Sequence, residues 1–189
     1  MPSLLSPSRT SARAAAGPAL ATALCLLAGF PAAASAQVPP AAAPRATCSS
    51  PDHRAFDFWV GDWNVTVGGN LAGTNRITLE EDGCILHEHW IGQGGGTGQS
   101  FNFYDRRTRE WNQVWIDNAG GVLRFTGRFV DGTLRFRSVM PGPNGTTVEH
   151  RLLFTPNADG SVRQLWETSS DGGTTWSVSF DGLYRKKPA

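Results

Sequence analysis

The sequence predicts an all-β fold: a single antiparallel up-and-down β-barrel of about ten strands, with a short helical plug at its N-terminal end. Three observations carry that expectation. Short segments of apolar–polar alternation recur from Gly61 to Arg185, with hardly a helical period among them. Turn signals rich in Gly, Asp and Asn separate them at close spacing. A dense aromatic knot, Phe56-Asp57-Phe58-Trp59-Val60, stands directly before the first strand. That knot is too short and too apolar for a surface helix, so a helical turn or hook closing one end of the sheet fits it better. Closure also removes the bare edges that an open sheet of this length would carry.

Taken in order, residues 1–36 read as a secretory signal peptide. Arg9 and Arg13 supply a positive start, and Leu20 to Phe30 is an apolar core too short to span a bilayer. Ala34-Ser35-Ala36 is a small-x-small cleavage site, so the mature chain starts after Ala36. Cys25 lies inside the apolar core after Leu24, which does not suit a lipid anchor. The expected location is periplasmic or extracellular, and the Ala- and Pro-rich leader is bacterial in style. Residues 37–50, again rich in Ala and Pro, form a flexible lead-in. The barrel then occupies residues 51–187.

The strands follow from there. Trp63, Val65 and Val67 alternate with Asn64 and Thr66, and Gly68-Gly69-Asn70 turns the chain into a second strand, Leu71 to Leu79. Asp82-Gly83 leads to Cys84–Ile91, and Gly92 to Gly98, with five glycines, reads as a loop. Gln99–Tyr104, the charged turn Asp105 to Glu110, and Trp111–Asp117 come next. Asn118 to Gly121 opens the strand Val122–Val130. Asp131-Gly132 is a tight-hairpin dipeptide, and the two strands it joins each carry Leu-Arg-Phe, at 123–125 and 134–136. Thr146–Thr155, Ser161–Ser169 and Thr175–Arg185 complete the set. Ser169-x-Asp171-x-Gly173-x-Thr175-Trp176 matches the Asp-box pattern of sialidase propellers; one copy in so short a chain is a turn signal.

Charge excludes some partners. Signal cleavage removes two of the 17 basic residues and none of the 16 acidic ones, leaving the mature chain near neutrality. Neither nucleic acid nor stable membrane insertion is expected of that balance. Seven Trp and ten Phe are ample for a core or a stacking pocket. Only Cys48 and Cys84 remain after cleavage, and in an oxidising compartment they are expected to pair as a structural bridge.

Phe56 to Val65, Gly83-Cys84, Glu88-x-Trp90, Trp111-x-Gln113-x-Trp115, Gln164-x-Trp166-Glu167 and Phe180-Asp181-Gly182-x-Tyr184 together resemble one family. It comprises exported bacterial proteins with a lipocalin-like (calycin-type) barrel, a domain of unknown function. The resemblance implies fold and export and brings no catalytic or binding residues with it. In lipocalin-type barrels the opening Gly-x-Trp closes the barrel floor, and a basic side chain of the last strand often covers that indole. Trp63 is the corresponding Trp, and Arg185 is similar in position to the basic residue, so both are expected to be structural.

The candidate site is a local pattern repeated on three strands: Glu88-x-Trp90, Gln113-x-Trp115 and Gln164-x-Trp166. Residues two apart on a strand share a face, so each pair sets one polar group beside one indole. Facing inward, they would line a pocket for a small, largely apolar or aromatic ligand, with Arg151 beside them. Two other arrangements stay open: indoles filling the barrel, or the apolar face through Val114 and Ile116 turned inward instead.

Catalysis finds little support. No G-x-S-x-G elbow is present, and the sequence brings no Ser, His and acid together. A barrel enzyme of lyase or isomerase type would have to use Glu88 as acid or base, with Arg151 or Arg124 the expected partners if Glu88 is buried. A ligand-free structural or partner-binding envelope protein is the third class. His87 and His89 share a face, but two imidazoles do not make a structural zinc site, and His150 joins them only if its strand lies close. No haem-attachment motif is present, and no cofactor is expected.

Overall fold

A computed structural model describes residues 48–188. The signal peptide expected over residues 1–36 and most of the 37–50 lead-in lie outside the described residues. What is described is a closed ten-stranded antiparallel barrel in which each strand pairs with its sequence neighbours and the last with the first. The strands are β1 (Gly61–Val67), β2 (Asn70–Glu80), β3 (Ile85–Gly92), β4 (Thr97–Asp105) and β5 (Glu110–Asp117). They continue with β6 (Val122–Val130), β7 (Thr133–Pro141), β8 (Thr147–Pro156), β9 (Val162–Ser169) and β10 (Ser177–Lys186). Among the described residues no helix is long and apolar enough to cross a membrane.

One end is plugged. A single turn, α1 (Pro51–Arg54), starts with Pro at its first position, and the Ser50 hydroxyl lies 2.6 Å from His53 Nδ1. A 3₁₀ turn, Asp57–Trp59, follows and drives Phe56 and Trp59 into the barrel end. Phe56 stacks on Trp59 at 4.9 Å and meets Trp111, Phe129, Phe136 and Phe154 edge-on. Phe56, Trp59 and Trp63 are all wholly buried. Burial of that order stabilises by roughly 2–3 kcal/mol per side chain. The Trp63 indole N–H donates to the Trp59 carbonyl at 2.8 Å, fixing the hook to the first strand.

The cation over Trp63 is Lys186, whose Nζ lies 5.3 Å from the ring centroid; the expectation of Arg185 is corrected. Tyr184 points inward, so Lys186, two residues on, continues that face, while Arg185 points out to Asp159 at 3.3 Å. Cys48 and Cys84 form a disulfide with a sequence separation of 36, tying the lead-in to the β2–β3 turn. On the chain-entropy account such a loop closure stabilises by about 4 kcal/mol. Arg54 adds a second tie, donating to the Gly83 carbonyl at 2.6 Å.

The expected turns recur. Asp131 and Gly132 both adopt positive φ, 51° and 75°, as a two-residue hairpin requires. Asp171 accepts from Ser169, from the Thr175 amide and from the Thr175 hydroxyl, so the Asp-box-like segment is a capped turn. Those donors hold the Asp171 carboxyl at about 2. The β3–β4 loop is shorter than expected, because Gly92 and Gly98 belong to strands. Both are needed there, for the reason given below.

Candidate functional site: the barrel lumen

The end opposite the plug opens into a cavity of about 670 Å³. Its wall includes all six residues of the repeated pattern: Glu88 and Trp90 on β3, Gln113 and Trp115 on β5, and Gln164 and Trp166 on β9. The face through Val114 and Ile116 points outward, and Ile116 is half exposed. Leu123, Phe125, Leu152 and Phe180 complete the apolar wall, with Asp117 and Asn118 at the mouth.

The indoles do not fill the barrel, because glycines lie beneath them. Gly98, fully within β4, sits under Trp115, and a methyl group there would collide with the ring. Gly73 on β2 sits under Trp90, where a Cβ would come within 2.6 Å of the indole. Gly92 lies beside the same indole, and Gly182 under Phe180. A flat ring laid on a bare backbone takes up wall thickness that a side chain would otherwise occupy, leaving the axis open. Trp166 is held differently: its N–H donates to His150 Nδ1 at 3.1 Å, with the two rings stacked. Burial lowers the His150 pKa, which favours the neutral acceptor that this bond requires. Among the described residues the Trp90 and Trp115 N–H groups have no hydrogen-bond partner.

A polar belt crosses the wall at mid-height. The Gln113 amide donates to Asn102 Oδ1 at 2.7 Å, and Asn102 Nδ2 donates to Ser100 Oγ at 2.8 Å. Ser100 donates to Glu88 Oε2 at 2.5 Å. From the other side Asn75 Nδ2 donates to Glu88 Oε1 at 2.7 Å and reaches the Tyr184 hydroxyl at 3.4 Å. Tyr184 donates to Gln164 Oε1 in a short bond. Glu88 is therefore the acceptor on which both arms converge. Burial pushes its carboxyl above the ordinary range, against the pull of the Ser100 and Asn75 donors. Burial likewise raises the Tyr184 phenol well above its usual value, keeping it a neutral donor.

Other expected positions lie elsewhere. Arg151 is not in the lumen: His150, Leu152 and Phe154 take the inward positions of β8, so Arg151 faces out. There it pairs with Glu167 through two bonds, at 2.6 and 2.9 Å, and lies 4.2 Å over the Trp176 ring. Arg124 is exposed on β6, so neither arginine reaches Glu88. His87 and His89 are on the outer face of β3; His87 bonds Glu80 at 2.8 Å and Gln99 at 2.7 Å, while His150 faces inward. Among the described residues no group of three or more His, Cys, Asp or Glu is placed to hold a metal ion.

Asn75, Ser100, Asn102 and Tyr184 are the site residues that sequence reasoning missed. For Ser100 and Asn102 the signal was present but inverted. In β4 the more apolar alternate set, Phe101 and Phe103, looks like the inward one, yet Phe101 is exposed and Ser100 and Asn102 are wholly buried. No protein-family model and no curated protein matches this chain.

Proposed function

We propose that this protein binds a small, largely apolar or aromatic molecule inside its barrel, and that it works outside the cytoplasm as a member of the exported lipocalin-like group it resembles. The observation that carries the binding reading is the set of lumenal indoles laid flat over glycines around an open cavity. A barrel built only for stability would fill that space, since each unfilled volume forfeits packing energy. A cavity of about 670 Å³ suits one ligand of drug-like size. The Cys48–Cys84 bridge supports an oxidising compartment. The test is native mass spectrometry of protein purified from its own host. A bound compound, lost in Trp115→Ala, is the expected result; no compound, together with Trp fluorescence indifferent to a broad metabolite panel, would leave an envelope protein without a ligand.

A second reading has one observation behind it. Glu88 is a buried carboxyl with a raised pKa and no Lys or Arg among the described residues lining its cavity, which suits an acid–base group in a lyase or isomerase. On that reading Glu88→Gln abolishes turnover and leaves binding nearly intact; on the binding reading there is no turnover to lose.

A further inference from the structure

The cavity wall carries two carboxylates, Glu88 at mid-height and Asp117 at the mouth, and among its described lining residues no Lys or Arg. Asp117 caps the turn at the mouth, its Oδ1 accepting from the Ala119 and Gly121 amides at 2.9 and 2.8 Å. It is only part-buried there, whereas Glu88 is buried. Glu88 has only neutral donors, one on each oxygen, and each oxygen retains a lone pair. Lys186 lies at the plugged end, over Trp63. The lumenal donors with no hydrogen-bond partner among the described residues, the Trp90 and Trp115 N–H groups among them, are neutral and cannot balance a charge. A buried carboxyl without a cation either holds a proton or is costly until a cation balances it.

The surroundings of Glu88 suit an organic cation. Trp90 is two residues along the same face of β3. Ser100 pairs with both Glu88 and Trp115 across the sheet, so Trp115 stands in the same row two strands away. Indole faces attract ammonium groups, most strongly where water is excluded.

We infer that the ligand of the lumen carries a protonated amine that seats on Glu88, with its aryl or alkyl part against the indoles of Trp90 and Trp115. This rests on the reading of the lumen as a ligand site and names the class of molecule it takes. The other titratable groups facing the lumen are Asp117 on β5, Tyr184 on β10 and His150 on β8, with His87 on the outer face of β3.

The experiment compares three probes of one shape by calorimetry on the full, disulfide-intact protein at mildly alkaline pH: 2-naphthylmethylamine, 2-naphthylmethanol and 2-naphthoate. The amine is expected to bind at least about tenfold tighter than the alcohol, and the naphthoate weakest, as a charge-assisted bond predicts. Glu88→Gln should remove the amine's advantage over the alcohol. An amine no tighter than the alcohol, or a preference that survives Glu88→Gln, overturns the cation while leaving the lumen as a site. Binding of none of the three overturns both readings. Should Glu88→Gln not fold, the wild-type protein decides alone. As pH falls through the titration of Glu88, the amine must weaken while the alcohol holds; a flat amine curve overturns the inference.

Discussion

The two ends of the barrel use the same residue type in opposite ways. At the plugged end Trp59 has an aromatic neighbour on more than one side: Phe56 stacked at 4.9 Å, Phe154 at 4.7 Å and Tyr184 at 6.1 Å. At the open end Trp115 and Trp90 have bare backbone on one side and cavity on the other. What separates a core tryptophan from a lining one is thus its second face. Trp59, ring against ring, belongs to the core, and Trp90 and Trp115, ring against glycine, line a space. The same indole area stabilises the fold in one place and is held available in the other.

The sharpest way to break the contrast is truncation at each end. Trp59→Ala is expected to cost about 3–5 kcal/mol, against roughly 1 kcal/mol for Trp115→Ala, whose lumenal face is already unpacked. Urea denaturation of the two variants measures the difference directly, and equal losses would mean that Trp115 is core after all. Replacing both cysteines, Cys48→Ser with Cys84→Ser, is expected to cost about 2–4 kcal/mol, because the bridge staples the plug from outside. Gly98→Ala sharpens the comparison from the other direction. It pushes the Trp115 ring off the wall, so binding of an aromatic probe should weaken about tenfold at a modest stability cost.

Smaller effects separate the ends electrostatically. The folded-state pKa of Glu88 is raised, so the folded protein holds that proton more tightly than the unfolded chain. Its contribution is present below the unfolded value and is lost as pH rises through the folded one. Glu88→Gln should therefore flatten the fall in stability with rising pH in that window, a difference that thermal melts at several pH values would show. Glu167 behaves oppositely. The Arg151 side chain holds its carboxyl low, so its contribution is lost as pH falls. Least of all, Lys186→Ala should cost about 0.5–1 kcal/mol through the floor indole. Arg185→Ala removes only an exposed ion pair and should be close to neutral.

Strand number, closure and the polar-x-Trp pairs on three strands, though not which face turns inward, were legible because period-two alternation and turn dipeptides are local signals. The polar belt was not. Reading β4 by hydrophobicity turns Phe101 inward, whereas the lumen needs Ser100 and Asn102 there, so a wall that presents hydrogen bonds inverts the usual rule. Parity held the information for the two misplaced arginines. Arg151 is one residue from the inward-facing Leu152, and Arg185 one from Tyr184, so neither shares their face. Choosing between neighbours needs one anchored position per strand, and periodicity alone does not provide it.

Closure of the ring has a kinetic consequence. Every neighbouring pair of strands but one is joined by a short connection, and the exception is β1 with β10, where Val65 meets Tyr184 across nearly the whole domain. Bringing such distant segments together costs more chain entropy than forming any hairpin, so this seam is expected to zip late, after the meander has formed. Until then Tyr184 cannot reach Asn75, and the belt through Glu88 lacks its far arm. Refolding followed by Trp fluorescence would report burial of the indoles as the meander and plug form. Recovery of probe binding would report the seam, and it should lag behind.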